Sequence, residues 1–222
     1  MARGARQLPE EGLFHVLARG NNRAEIFHRP TDFLAYLGIF GKTAKEFPVR
    51  LHHYCLMPNH VHLLLSAGPP NTALSELMHR VQLSYAIYYR SRYDYSGHLW
   101  QGRFKSLWIE SEKGFFLCAA YIELNPVAAG IVENPADYQF SSYSRYTLGM
   151  SQSYLSPHPL YQDLGETEEK RKAVYQAIVA ERQSHRDDDQ LSVGFPKGVA
   201  GRPVKRGGNR DVSRNVPISS GR

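Results

Sequence analysis

Leu56-Met57-Pro58-Asn59-His60-Val61-His62-Leu63-Leu64-Leu65 sets two histidines around a valine at the start of an apolar run. In a β-strand residues i and i+2 share a face, so His60 and His62 project side by side while Val61 and Leu63 turn to the core. Two readings are open at this level. The pair is either the solvated face of an ordinary strand or half of a metal site, two imidazoles on one rigid support. Met57-Pro58-Asn59 is a turn signal and residues 49–56 are a second extended run, which predicts an antiparallel hairpin.

The pattern continues outward on both sides. Residues 13–19, Leu-Phe-His-Val-Leu-Ala-Arg, read as a strand ended by Gly20-Asn21-Asn22. Thr31 and Asp32 offer N-cap chemistry for a helix in which Phe33, Tyr36, Leu37, Phe40, Ala44 and Phe47 recur every three or four residues, and Pro48 stops it. After the hairpin, Gly68-Pro69-Pro70-Asn71 breaks the chain ahead of a helix over 72–93. Its buried stripe is Leu74, Leu77, Met78, Val81 and Tyr85 or Ile87, with His79, Arg80, Arg90 and Arg92 opposite. Tyr85, Tyr88, Tyr89, Tyr93 and Tyr95 crowd its end, either as packing residues or as a base-stacking surface interleaved with arginines. Residues 97–109 hold an extended segment in which Arg103 and Lys105 share a face, solvated or aimed at phosphates. Ser111 caps a third helix over 112–124, closed by Asn125-Pro126. The order β-α-β-β-α-β-α predicts an α+β fold: a ferredoxin-like antiparallel four-stranded sheet with helices packed on one face and the other face open to a ligand. Residues 137–146 read as short and irregular. Residues 167–183 form a charged helix with a thin stripe of Ala173, Val174, Ala177, Ile178 and Val179.

Composition bounds the partners. At 222 residues, 42% hydrophobic and 12% aromatic, the chain holds one well-packed domain with appendages. No apolar run approaches the roughly 18 residues of a membrane span, and no signal core follows the basic N-terminus. Cys55 and Cys118, both in apolar segments, read as buried thiols of a reducing compartment, so a cytoplasmic location is expected. The net charge of +6 belongs to the tail: residues 191–222 carry seven Lys or Arg against Asp211 alone, while the first 190 residues balance at 20 against 20. A Gly- and Arg-rich tail of this kind is expected to stay disordered until it meets a polyanion.

One helix face adds to the histidine pair. Tyr121 and Asn125 lie about one turn apart if the helix persists to Asn125. Tyr121 can be a core phenol with its hydroxyl bonded, or a nucleophile. The blocks His15-Val-Leu-Ala-Arg-Gly-Asn-Asn-Arg23, Leu56-Met-Pro-Asn-His-Val-His-Leu63, Gly97-His-Leu-Trp-Gln-Gly-Arg-Phe-Lys-Ser106 and Tyr121-Ile-Glu-Leu-Asn-Pro-Val-Ala-Ala-Gly130 together resemble the REP-associated tyrosine transposases, in the single-tyrosine branch of the HUH nucleases. The resemblance covers residues 13 to 146. It divides the chain into an N-terminal arm (1–12), the transposase domain (13–150), a helical extension (151–190) and the basic tail (191–222).

The resemblance implies that His60 and His62 bind a divalent metal with Asn125 as third ligand, and that Tyr121 is the nucleophile. Mixed nitrogen and oxygen ligation suits Mg²⁺ or Mn²⁺, with no small-molecule cofactor. The implied substrate is single-stranded DNA beside a foldback hairpin, nicked and rejoined through a 5′-phosphotyrosine by a nucleoid-associated enzyme. Arg19, Arg23, Arg80, Arg103 and Lys105 are candidates for a basic rim along its backbone. Ala128 departs from the arginine many relatives carry there, at the expense of a phosphate contact. The segment after residue 150 favours a monomer over a homodimer. The alternative from another class is a catalytically silent DNA- or RNA-binding protein with the same sheet, and a third is a metal-dependent hydrolase of a small phosphate ester.

Overall fold

The computed structural model describes Pro9 and residues 11–184; the basic tail of 191–222 and most of the N-terminal arm lie outside the described residues. Strands β1 (Gly12–Arg19), β2 (Val49–Met57), β3 (His60–Ala67) and β4 (Lys105–Ile109) form one sheet in the order β2-β3-β1-β4, each neighbouring pair antiparallel. This is the ferredoxin-like sheet that the element order predicts. The crossovers are α1 (Pro30–Ala44) and α2 (Ala73–Arg92), which pack against each other. They cover the face of Phe14, Val16, Val61, Leu63 and Leu65, all buried.

The second face is not left open. Helix α3 (Glu112–Glu123) packs on β2 and β3 from the side of the histidines, with the Tyr121 ring against His15 and His62. A register shift between Leu51 and His53 explains how it is held there. Without the bulge His52 would oppose Leu64; with it His53 does, and so joins the face that carries His62. His53 Nδ1 then lies 2.9 Å from Glu123 Oε1 on α3. Ser142 Oγ donates to the same oxygen at 2.6 Å, and Tyr175 OH donates to Glu123 Oε2 at 2.8 Å. All four residues are buried.

The extension therefore closes over α3 instead of standing apart. After α3 the domain adds α4 (Asn125–Ala128) and α5 (Tyr143–Leu148), and the extension supplies α6 (Pro159–Gln162) and α7 (Glu168–Ser184). Ser156 N donates to Leu51 O at 2.8 Å, and α7 contacts both α3 and α5. The stripe expected on α7 is corrected by the buried pair Tyr175 and Val179; Ala173 and Ala177 are exposed. Tyrosine fills that stripe because its hydroxyl has Glu123 as an acceptor, a partner more than fifty residues away in the chain.

Other local expectations shift slightly. Arg29 is the N-cap of α1, with Pro30 at the first helical position, and Asp32 accepts from His28 N and Arg29 N at 2.9 and 3.0 Å. In α2 Tyr85 is buried and Ile87 exposed. The tyrosines at its end pack: Tyr85 OH donates to Ile26 O, and Tyr88 and Tyr93 OH donate to the buried Asp32. Cys55 and Cys118 are buried free thiols.

Candidate active site

Three of the sequence blocks meet at one end of the sheet. Gly20 N donates to Asn59 O, Asn21 N to Leu99 O and Gln101 N to Arg19 O, at 2.8 to 2.9 Å. Ile26 N and Phe27 N both donate to Pro58 O. A Cβ at Gly20 would come within 2.3 Å of Ala24 O, so the turn that makes these contacts needs glycine there. Asn22 and Arg23 then take left-handed backbone angles, with φ of 50° and 59°.

At this end His60 and His62 project together, their ring centroids 4.9 Å apart. His60 Nδ1 is 2.5 Å from Asn59 Oδ1, and His62 Nδ1 is 2.9 Å from Nε2 of the buried His15, whose ring stacks on it. Burial, then the charge of Arg19, pushes His60 down to about 4. Burial, with His60, His15 and Arg19 behind it, takes His62 well below its ordinary value. Both imidazoles are neutral at neutral pH, the form that ligates a metal.

Tyr121 is half-buried and meets His62 edge-on, with centroids 5.8 Å apart at 89°. Burial raises its pKa, Cys118 adds to the rise, and Arg19 and Arg182 oppose it. The helix expected over 112–124 ends at Glu123, and Asn125 opens a further short helix, α4. Leu124 keeps right-handed angles (φ −86°, ψ −3°), and the chain continues through Asn125–Ala128. Pro126 has no N–H to give to the Ile122 carbonyl. Asn125 Nδ2 takes that place, donating to Ile122 O at 3.3 Å and to Tyr121 O at 2.8 Å. The amide nitrogen is thereby spent inside the helix, and Oδ1 is left as an acceptor. Among the described residues no group of three or more His, Cys, Asp or Glu could hold a metal, so any third protein ligand beside the histidines would be of another type. An amide oxygen one turn from Tyr121 fits that need.

The expected cations divide. Arg19, Arg103 and Lys105 line one pocket of about 260 Å³ with Leu17, Gln101 and Gly102. Arg19 pairs in register with His60 across the β1–β3 ladder. Arg23 is near enough to Arg19 for the two charges to repel. Arg80 is elsewhere, on α2, its Nη1 2.8 Å from Glu46 and its guanidinium over the Phe47 ring. His15 and Asn59 were not singled out from sequence. His15 stands two and four residues before Leu17 and Arg19, so strand alternation already places it on the site face.

The profile described as transposase IS200-like matches residues 10–125, from the start of β1 to Asn125, and takes in every strand, both histidines and Tyr121. The chain belongs to the IS200-like transposase family. A Haemophilus influenzae protein named as a REP-associated tyrosine transposase is 29% identical over 126 residues, 52% of this chain and 71% of its own length. A solved REP-associated tyrosine transposase bound to a REP hairpin is similar in fold, with a TM-score of 0.58 at 19% identity over 71% of this chain and 93% of its own. In this IS200-like transposase the family match stops at Asn125, so Ser142 and Tyr175, which hold α3 through Glu123, lie outside it. No helix among the described residues is long and apolar enough to cross a membrane.

Proposed function

We propose that this chain nicks and rejoins single-stranded DNA beside a hairpin, with Tyr121 as the nucleophile and the whole site built from one chain. The observation that carries this reading is the Tyr121 ring lying 5.8 Å from that of His62. The relative solved with a REP hairpin supports the substrate class.

His60, His62 and Asn125 are the residues that would hold Mg²⁺ or Mn²⁺. When bound, the ion supplies Lewis-acid stabilisation of charge on the non-bridging oxygens of the scissile phosphate. The chain's own groups do the rest. Tyr121 Oη gives up its proton and bonds to phosphorus, the bond from phosphorus to the 3′ oxygen breaks, and that oxygen leaves with the electron pair and takes up a proton. The products are a 5′-phosphotyrosine and a free 3′-hydroxyl. Rejoining reverses the exchange, a 3′-hydroxyl displacing Tyr121. Arg19 favours the phenolate against the burial that disfavours it. Arg103 and Lys105, in the pocket beside Arg19, give the backbone a cationic track.

The test is covalent. Incubation with hairpin-bearing single-stranded DNA and Mn²⁺ is expected to give a denaturant-resistant adduct from the wild-type chain and none from Tyr121→Phe. An adduct from Tyr121→Phe refutes the assignment, and DNA binding without any adduct favours the silent binding protein.

A further inference from the structure

We propose that Asn59 is a positioning residue that fixes the His60 imidazole as its Nδ1–H tautomer and so leaves Nε2 as a bare lone pair for a divalent cation. The purpose of this arrangement rests on the proposed function; the arrangement itself does not.

Hydrogen-bond roles decide the tautomer. One amide atom of Asn59 lies 3.1 Å from Arg23 O. A carbonyl only accepts, so that atom is the nitrogen and donates. The other amide atom, 2.5 Å from His60 Nδ1, is then the oxygen, which also only accepts. His60 Nδ1 must therefore carry hydrogen. A neutral imidazole carries a single N–H, so with Nδ1 protonated its Nε2 carries none.

The rest of the turn serves the same end. Arg23 presents its carbonyl from a left-handed backbone (φ 59°), reached through Asn22 (φ 50°). Gly20, where a Cβ has no room, donates its N–H to the backbone oxygen of Asn59 at 2.9 Å. One turn of β1's loop thus grips Asn59 by main chain and side chain together. A free imidazole in water favours the opposite, Nε2–H, form, so without this acceptor the metal-facing lone pair would be covered by hydrogen. Metal-bound histidines commonly rely on such an outer partner.

The experiment uses the metal-free full chain labelled with ¹⁵N-histidine. Long-range proton–nitrogen spectra are expected to give His60 as Nδ1–H in the wild type, Nε2–H in Asn59→Ala, and Nδ1–H again in Asn59→Asp, which keeps an acceptor oxygen. Mn²⁺ titration of the same samples should find Asn59→Ala weaker by roughly 10- to 100-fold and Asn59→Asp close to wild type. Circular dichroism monitors folding, and if Asn59→Ala does not fold, the wild-type and Asn59→Asp spectra decide. A wild-type His60 in the Nε2–H form overturns the inference, as does an unchanged tautomer in folded Asn59→Ala. Failure of the wild type to bind Mn²⁺ overturns the metal reading instead, and the tautomer spectra still decide the role of Asn59.

Discussion

Arg103, Lys105 and Arg80 all read in the sequence as members of one basic rim, and their surroundings now separate them. Arg103 and Lys105 share a pocket with Arg19 beside the histidines, whereas Arg80 is paired with Glu46 on α2. Arg103→Ala and Lys105→Ala are each expected to weaken single-stranded DNA binding and to flatten the dependence of log K on log salt by about 0.7. Arg80→Ala should leave that slope unchanged and cost at most about 1 kcal/mol of stability, as an exposed pair does. Equal slopes for Arg80→Ala and Arg103→Ala would contradict the division. Spacing could place His60, His62, Tyr121 and Asn125 on two faces, because alternation and helical turns are local. It could not find the hydrogen bond between His62 and His15, 47 residues apart, or say which arginine had an acid beside it.

Helix α3 carries Tyr121 on one side and is anchored by Glu123 on another, two residues along the chain. The Glu123 carboxyl accepts from Ser142 and Tyr175 and contacts His53, all out of water. Glu123→Ala leaves three buried polar partners without it and is expected to cost about 3–5 kcal/mol, in the range for breaking a buried pair. Tyr175→Phe removes one hydrogen bond and should cost about 1 kcal/mol by denaturant unfolding. A loss below about 1 kcal/mol for Glu123→Ala would mean that α3 is held by apolar packing alone. This anchor was illegible in the sequence, because a Glu in an apolar helix and a Tyr on a charged one give no sign of each other. The bulge at His52 was equally hidden, and it decides which of two adjacent histidines reaches Glu123. The hairpin, α2 and the Ser111 cap were legible, since each follows from local chemistry; Ser111 Oγ accepts from Gly114 N as a cap should.

Over the whole molecule, histidines buried in neutral form make stability depend on pH. His52 is held down to about 3 and His60 to about 4, both chiefly by burial. A folded-state pKa below the unfolded value near 6.5 means that the unfolded chain binds the proton more readily. The stabilisation is complete above pH 6.5 and is lost as pH falls toward 4. The melting temperature should thus be level near neutrality and decline through that window, less steeply for His52→Gln; a flat profile from pH 7 to 4 would contradict it. The extension belongs to the same body, since α7 packs on α3 and holds the helix of Tyr121 over its own chain's histidines. A site complete in one chain is tested by mixing. Tyr121→Phe and His62→Ala chains, each inactive, are combined with hairpin DNA and Mn²⁺ and assayed for the covalent adduct. No adduct is expected from the mixture while wild type forms one; an adduct restored by mixing would show that Tyr121 serves a partner's histidines and would rule out the one-chain site.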